Sequence, residues 1–162
     1  MKSFWKNWGW NSFVGKYFRI WQSDMDGNNT SEALFDPYTF AHAFMASLQF
    51  FLIPPVQYHN SLWIHPFLLN FILHLLFEFF ENTPIVIVWC RRVTPDKKYI
   101  GDSVLNTIGD MITFIVFYGL TWVLWETINL WSLVLPAYTF SILVGFHLNY
   151  YYNNTNPITT VE

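Results

Sequence analysis

Ionisable residues set inside apolar runs constrain this chain more than any other feature of it. From His74 to Asp110 the sequence reads HLLFEFFENTPIVIVWCRRVTPDKKYIGDSVLNTIGD. His74, Glu78, Glu81 and Asn82 recur at spacings of four, three and one, which puts them on one face of a 3.6-residue helix. Asp102, Asn106 and Asp110 recur every four residues, with Thr113 three further on. The spacing predicts two helices, each with a polar stripe through an apolar surface. The short connection between them lets the stripes face each other.

The remainder of the chain is too apolar for those stripes to be the wet face of a soluble protein. Of 162 residues, 53% are hydrophobic, 22% aromatic and only 12% charged; the mean hydropathy is +0.26. This composition predicts an all-α, polytopic membrane protein with four transmembrane helices. The expected spans are residues 38–56, 62–80, 103–125 and 130–148, the last with Pro136 inside it, each near the roughly 20 residues that cross a bilayer core. Residues 85–90, after Pro84, are too few to cross, and read as a kinked continuation or a re-entrant piece. Residues 1–32 read as an interfacial aromatic and basic segment with a polar loop, 33–150 as the four-helix domain, and 151–162 as a loosely ordered polar tail.

Charge placement orients the spans. The eight Lys and Arg lie either before the first span (Lys2, Lys6, Lys16, Arg19) or between the second and third (Arg91, Arg92, Lys97, Lys98). By the positive-inside rule both termini are cytoplasmic. A net charge of −3 without a broad basic surface excludes nucleic acid as an expected partner. The single cysteine, Cys90, excludes an internal disulfide and reads as an apolar filler. Asp24, Asp26 and Asn28 resemble the opening of a calcium loop, but Gly27 is misplaced and the closing glutamate is missing.

With spans alternating in direction, His42, His74, Glu78, Glu81, Asp102, Asn106, Asp110 and His147 fall in one leaflet, beside Arg91 and Arg92, whereas His59 and His65 fall in the other. Asp110 is two turns into its span, about 12 Å at 1.5 Å per residue. A charge toward a span centre costs roughly 2.5–3.5 kcal/mol on insertion scales. Several carboxylates together repel one another unless protonated, paired or bridged by a cation. Glu78, Glu81, Asp102 and Asp110 are the candidate metal ligands, for a divalent cation such as Mg²⁺ or Mn²⁺, with zinc or iron admitted if His74 joins. Glu78, Asp110 and His74 are the candidate catalytic groups; Arg91 and Arg92, with Asn82 and Asn106, are the candidate ligand-binding groups, the arginines suited to a phosphate or carboxylate headgroup. His42 by itself reads as a hydrogen-bonded packing residue, and Asp102 also fits a helix N-cap.

Two blocks carry a resemblance. Glu78-x-x-Glu81-Asn82-Thr83-Pro84, then Arg91 or Arg92, then Tyr99-x-Gly101-Asp102-Ser103-Val104-x-Asn106 with Asp110 following, is similar to a family of small bacterial inner-membrane proteins classed as a domain of unknown function. More distantly, Glu78, the arginine loop and Asp102-x-x-x-Asn106-x-x-Gly109 resemble the VanZ-like pattern, from which Glu81 departs where that pattern has glutamine. The resemblance covers roughly residues 42–125 and implies a membrane location but no reaction.

The leading expectation is an intramembrane pocket at the cytoplasmic leaflet, acting as a metal-dependent hydrolase or transferase on a phosphorylated, lipid-like ligand. The alternatives are a proton-coupled carrier and a non-catalytic subunit of a membrane assembly. Membrane lipid is the expected partner, and an oligomer or larger assembly is allowed.

Overall fold

The computed structural model describes residues 18–23, 31–53, 64–94, 97–128 and 131–155. The interfacial segment expected before Phe18, the possible calcium loop, His59 and the last seven residues lie outside the described residues. The described chain is helical: α1 (Thr39–Leu52), α2 (Ile64–Glu81), α3 (Pro84–Val93), α4 (Val104–Ile128) and α5 (Trp131–Thr155). A single β-bridge joins Trp21 to Phe35, with Leu34 N–H donating to the Arg19 carbonyl and Phe35 N–H to that of Ile20.

The expected spans coincide with α1, α2, α4 and α5, but their lengths and polarity differ. One described helix, over Val104–Thr127, is long and apolar enough to cross a membrane by itself. α1 has only 14 residues. α2 and α3 meet that standard as a pair, bent by 78° at the break between Glu81 and Pro84. The bend has a local cause: proline disfavours helical geometry in the residue before it, and Thr83 is extended, with φ −77° and ψ 149°. Pro84 then opens α3 at a position where its missing N–H costs nothing. α5 does not stop at Leu148 but continues through the tyrosines to Thr155, because no glycine or proline intervenes.

α1 lies at the centre, against α4 and α5, with α2 packed on α4 and touching α1. The half of the bundle away from the site is closed by aromatic packing: Phe50, Phe114 and Tyr118 are buried around Ala46, with Phe67, Phe71, Trp122 and Trp125 against them. Two polar pairs are sealed into that half, Asn70 Nδ2 donating to Tyr118 Oη at 3.2 Å and Thr121 Oγ1 to Ser47 Oγ at 2.9 Å.

Burial is inverted relative to a water-soluble bundle. Asn70, His74 and Glu78 on α2 and Asn82 just after it, spaced four apart, are fully buried. Leu69, Leu73, Leu76, Phe79 and Phe80 of the same helix are exposed, Leu76 by 57%. α4 repeats the pattern: Asn106, Asp110 and Thr113 face inward, while Ile108, Ile112, Ile115 and Val123 face outward.

Candidate metal centre

The site forms where the N-termini of α1 and α4 meet the C-terminus of α2. The segment 31–36 is drawn over it. Asp36 accepts three backbone N–H groups, from Ser31 at 3.0 Å, Tyr38 at 2.7 Å and Thr39 at 3.2 Å, so it both caps α1 and closes the loop. Ser103 N–H donates to the Ser31 carbonyl at 2.8 Å and Asn106 Nδ2 to that of Ala33 at 3.0 Å. At Gly109 a Cβ would stand 1.7 Å from the Leu34 carbonyl oxygen. No side chain fits between α4 and this loop.

A first cluster ties α2 to the start of α4. Asn82 Nδ2 donates to Asp102 Oδ2 at 3.0 Å while Asp102 N–H donates to Asn82 Oδ1 at 2.7 Å. Tyr99 Oη donates to Asp102 Oδ1 at 3.0 Å. Burial, then the charges of Glu78 and Asp36, push the Asp102 carboxyl up to about 6 against the lowering effect of its hydrogen bonds. Burial likewise raises Asp36 and, with the neighbouring Asp102, the Tyr99 phenol.

A second cluster lies one turn deeper. His42 Nδ1 is 2.9 Å from Glu78 Oε1 and 3.2 Å from His74 Nε2, and His74 Nε2 is 3.6 Å from the same Glu78 oxygen. One proton on His42 Nδ1 serves one of its two neighbours, so hydrogen bonding alone leaves this triangle under-satisfied. Glu78 Oε2 and His74 Nδ1 have no hydrogen-bond partner among the described residues. The other edge of His42, Nε2, faces Asp110 Oδ2 at 3.7 Å. Asp110 Oδ1 is held by Thr39 Oγ1 at 3.1 Å, which in turn accepts the Asp36 N–H at 3.0 Å. His74 is fixed from the other side by stacking on Phe114, ring centres 4.3 Å apart.

Beside both clusters is a cavity of about 50 Å³ whose wall includes His42, Glu81, Asp102, Asn106 and Asp110. It is large enough for water or an ion. Two groups of side chains bring ligand atoms within 4.8 Å of one another, His42 with His74 and Glu78, and Glu78 with Glu81 and Asp102. Glu78 belongs to both.

Of the residues predicted from sequence, His74, Glu78, Glu81, Asn82, Asp102, Asn106 and Asp110 come together here, with Asp110 beside His42 rather than in either group. The arginines are not on the cavity wall. Arg91 Nε donates to the Tyr99 carbonyl and so ties α3 to the residues before Asp102; Arg92 is exposed. The amide donors of Asn82 and Asn106 are engaged within the protein. His147 lies at the same end, its ring 6.0 Å from that of Tyr38. Asp36 and Thr39 were not legible as site residues, although Asp-Pro ahead of an apolar run is a helix-start signal. His42, read from sequence as a hydrogen-bonded packing residue, stands between Glu78, His74 and Asp110.

The family described as "Protein of unknown function (DUF2585)" matches residues 12–153. The chain belongs to this family. Among its relatives, the UPF0314 protein of Sphingopyxis alaskensis is 28% identical over 93 residues, which is 57% of this chain and 49% of the relative. UPF0314 protein R03235 of Rhizobium meliloti is 30% identical over 100 residues, 62% of this chain and 50% of the relative. The UPF0314 protein Atu8092 of Agrobacterium fabrum is 26% identical over 130 residues, covering 80% and 63%. The chain thus spans about half the length of the first two relatives. No solved structure matches it. The expected membership in an uncharacterised family holds.

Proposed function

We propose that this DUF2585 member is a multi-pass membrane protein with cytoplasmic termini whose His42–His74–Glu78 triangle binds a divalent transition metal, and that it is a hydrolase or transferase acting on the polar head of a lipid-like molecule. The observation that carries the reading is the triangle itself. Ligands about 2.0–2.1 Å from a tetrahedral zinc lie about 3.3–3.4 Å from one another, and the three edges are 2.9, 3.2 and 3.6 Å. Two imidazoles and a carboxylate suit zinc or iron better than magnesium. Asp110 Oδ2, 3.7 Å from the far nitrogen of His42, supports the same reading, since a nearby carboxylate favours the proton on Nε2 and leaves the Nδ1 lone pair for a metal.

His42, His74 and Glu78 would hold the divalent ion, which would supply Lewis-acid polarisation and a water activated near neutral pH. The chain's own groups do the rest. Thr39 and Asp110 orient His42. Asp110, on the cavity wall, is also the group placed to take or return a proton. Arg92, exposed at the end of α3, is the arginine able to meet a phosphate from outside. Lipid as the surrounding medium is supported by the apolar exterior of α2 and α4 over a polar interior. The four-span topology is supported by the inverted burial of the helices and by the Lys and Arg distribution. A carrier needs a polar path through both leaflets, and the aromatic packing around Phe50, Phe114 and Tyr118 fills the far half; the closed end favours chemistry over passage.

The test is metal content of the detergent-purified protein by elemental mass spectrometry, wild type against Glu78→Gln. About one zinc or iron per chain in wild type, and at least a tenfold loss in the variant, supports the proposal. A folded wild type that takes up neither metal overturns it.

A further inference from the structure

Glu78 is the only residue common to the two ligand groups among the described residues, and this suggests more than one ion. We infer that the site is binuclear, with the Glu78 carboxylate bridging a transition metal held by His42 and His74 to a second, harder cation held by Glu81 and Asp102. The inference rests on the metal reading above and deepens it.

Three observations carry it. Glu78 is fully buried, yet its Oε2 has no hydrogen-bond partner among the described residues while Oε1 faces the histidines. A buried carboxylate oxygen without a donor is expensive, and a cation satisfies it. Glu81 Oε2 is also without a partner, and Glu81 and Asp102 both form cavity wall, so there is room between them. Asp102 is already positioned: Tyr99, Asn82 and the Ser31 side chain hold its carboxylate, as outer-shell donors hold a ligating carboxylate, and a carboxylate's remaining lone pair is left for a cation.

The two positions differ in chemistry. Two imidazole nitrogens and a carboxylate favour zinc or iron, whereas three carboxylates and water favour Mn²⁺ or Mg²⁺. Ions sharing one carboxylate stand about 3.5–4 Å apart, the spacing that lets two metals clamp the attacking and leaving oxygens of a displacement. That spacing suits transfer or hydrolysis at a phosphate ester. The carboxylates meet the metals, and an anionic substrate meets the metals rather than the carboxylates.

The experiment is a Mn²⁺ titration of the full chain in detergent after loading with one equivalent of Zn²⁺, followed by electron paramagnetic resonance. Wild type is expected to bind one Mn²⁺ per chain without releasing zinc. Glu81→Gln is expected to weaken Mn²⁺ at least tenfold and leave zinc content unchanged. Mn²⁺ alone at two equivalents should give an exchange-coupled multiline spectrum in wild type, a readout that does not depend on any variant folding. Zinc retained with no Mn²⁺ bound and no coupled spectrum overturns the binuclear inference while leaving the single-metal reading intact. Failure to bind zinc at all removes both.

Discussion

Asp102 shows how a single carboxylate can serve the fold and still be poised for another role. Its oxygens accept from Tyr99 and Asn82, and its backbone N–H closes the return contact to Asn82. Burial raises its folded-state value from 3.8 to about 6. The fold therefore favours the protonated form, so this residue's contribution to stability is fully present below 3.8 and is lost as pH rises through about 6. In metal-stripped protein, wild-type stability should fall between about pH 4 and pH 6.5, and Asp102→Asn should flatten that slope even if it lowers stability throughout. Thermal unfolding in detergent across this range measures it. An unchanged slope in Asp102→Asn would assign the pH dependence to another group.

At the scale of elements, the close contact between α4 and the 31–36 segment sets the site's geometry. Gly109 allows the Leu34 carbonyl to approach the helix, which keeps Asp36 over Thr39 and Thr39 against Asp110. Gly109→Ala puts a methyl where that carbonyl stands, and overpacking of this kind costs about 1–3 kcal/mol. We expect the variant to unfold at lower temperature and to bind metal more weakly, since Asp110 loses its brace; an unaffected midpoint would show that the segment yields freely. The helices themselves were legible because apolar runs bounded by Pro54, Pro84 and polar loops carry strong signals. The stripe on α2 was legible from spacing, although it continues one turn further to Asn70. The 78° turn into α3 was visible only as a proline, since the residues around Pro84 do not say which way the chain leaves. Asp36 has a local helix-start signal, but its place over the site depends on the contact of Asn106 with the Ala33 carbonyl, 73 residues apart in sequence and without a local signature.

For the molecule as a whole, polar groups inside and large aliphatic groups outside make sense together in an apolar medium, where each buried polar group needs an internal partner. Most have one: Asn70 with Tyr118, Ser47 with Thr121, Asn82 with Asp102. Among the described residues, both oxygens of Glu78, Nδ1 of His74 and Oε2 of Glu81 have no hydrogen bond, and away from the site so do Oε1 of Gln49 and Oδ1 of Asn70. The unpartnered atoms of Glu78, His74 and Glu81 are what supports the proposed ion site. Sequence spacing put these carboxylates at one depth but could not show that His42 enters between Glu78 and His74, because that depends on how α1 seats against α2 and α4. The central claim is the identity of the three ligands, and X-ray absorption at the zinc edge of the zinc-loaded protein tests it most directly. The account predicts two imidazole nitrogens and carboxylate oxygen at about 2.0–2.1 Å, with one imidazole lost in His42→Ala. A spectrum of oxygen ligands only, or one that His42→Ala leaves unchanged, would contradict it.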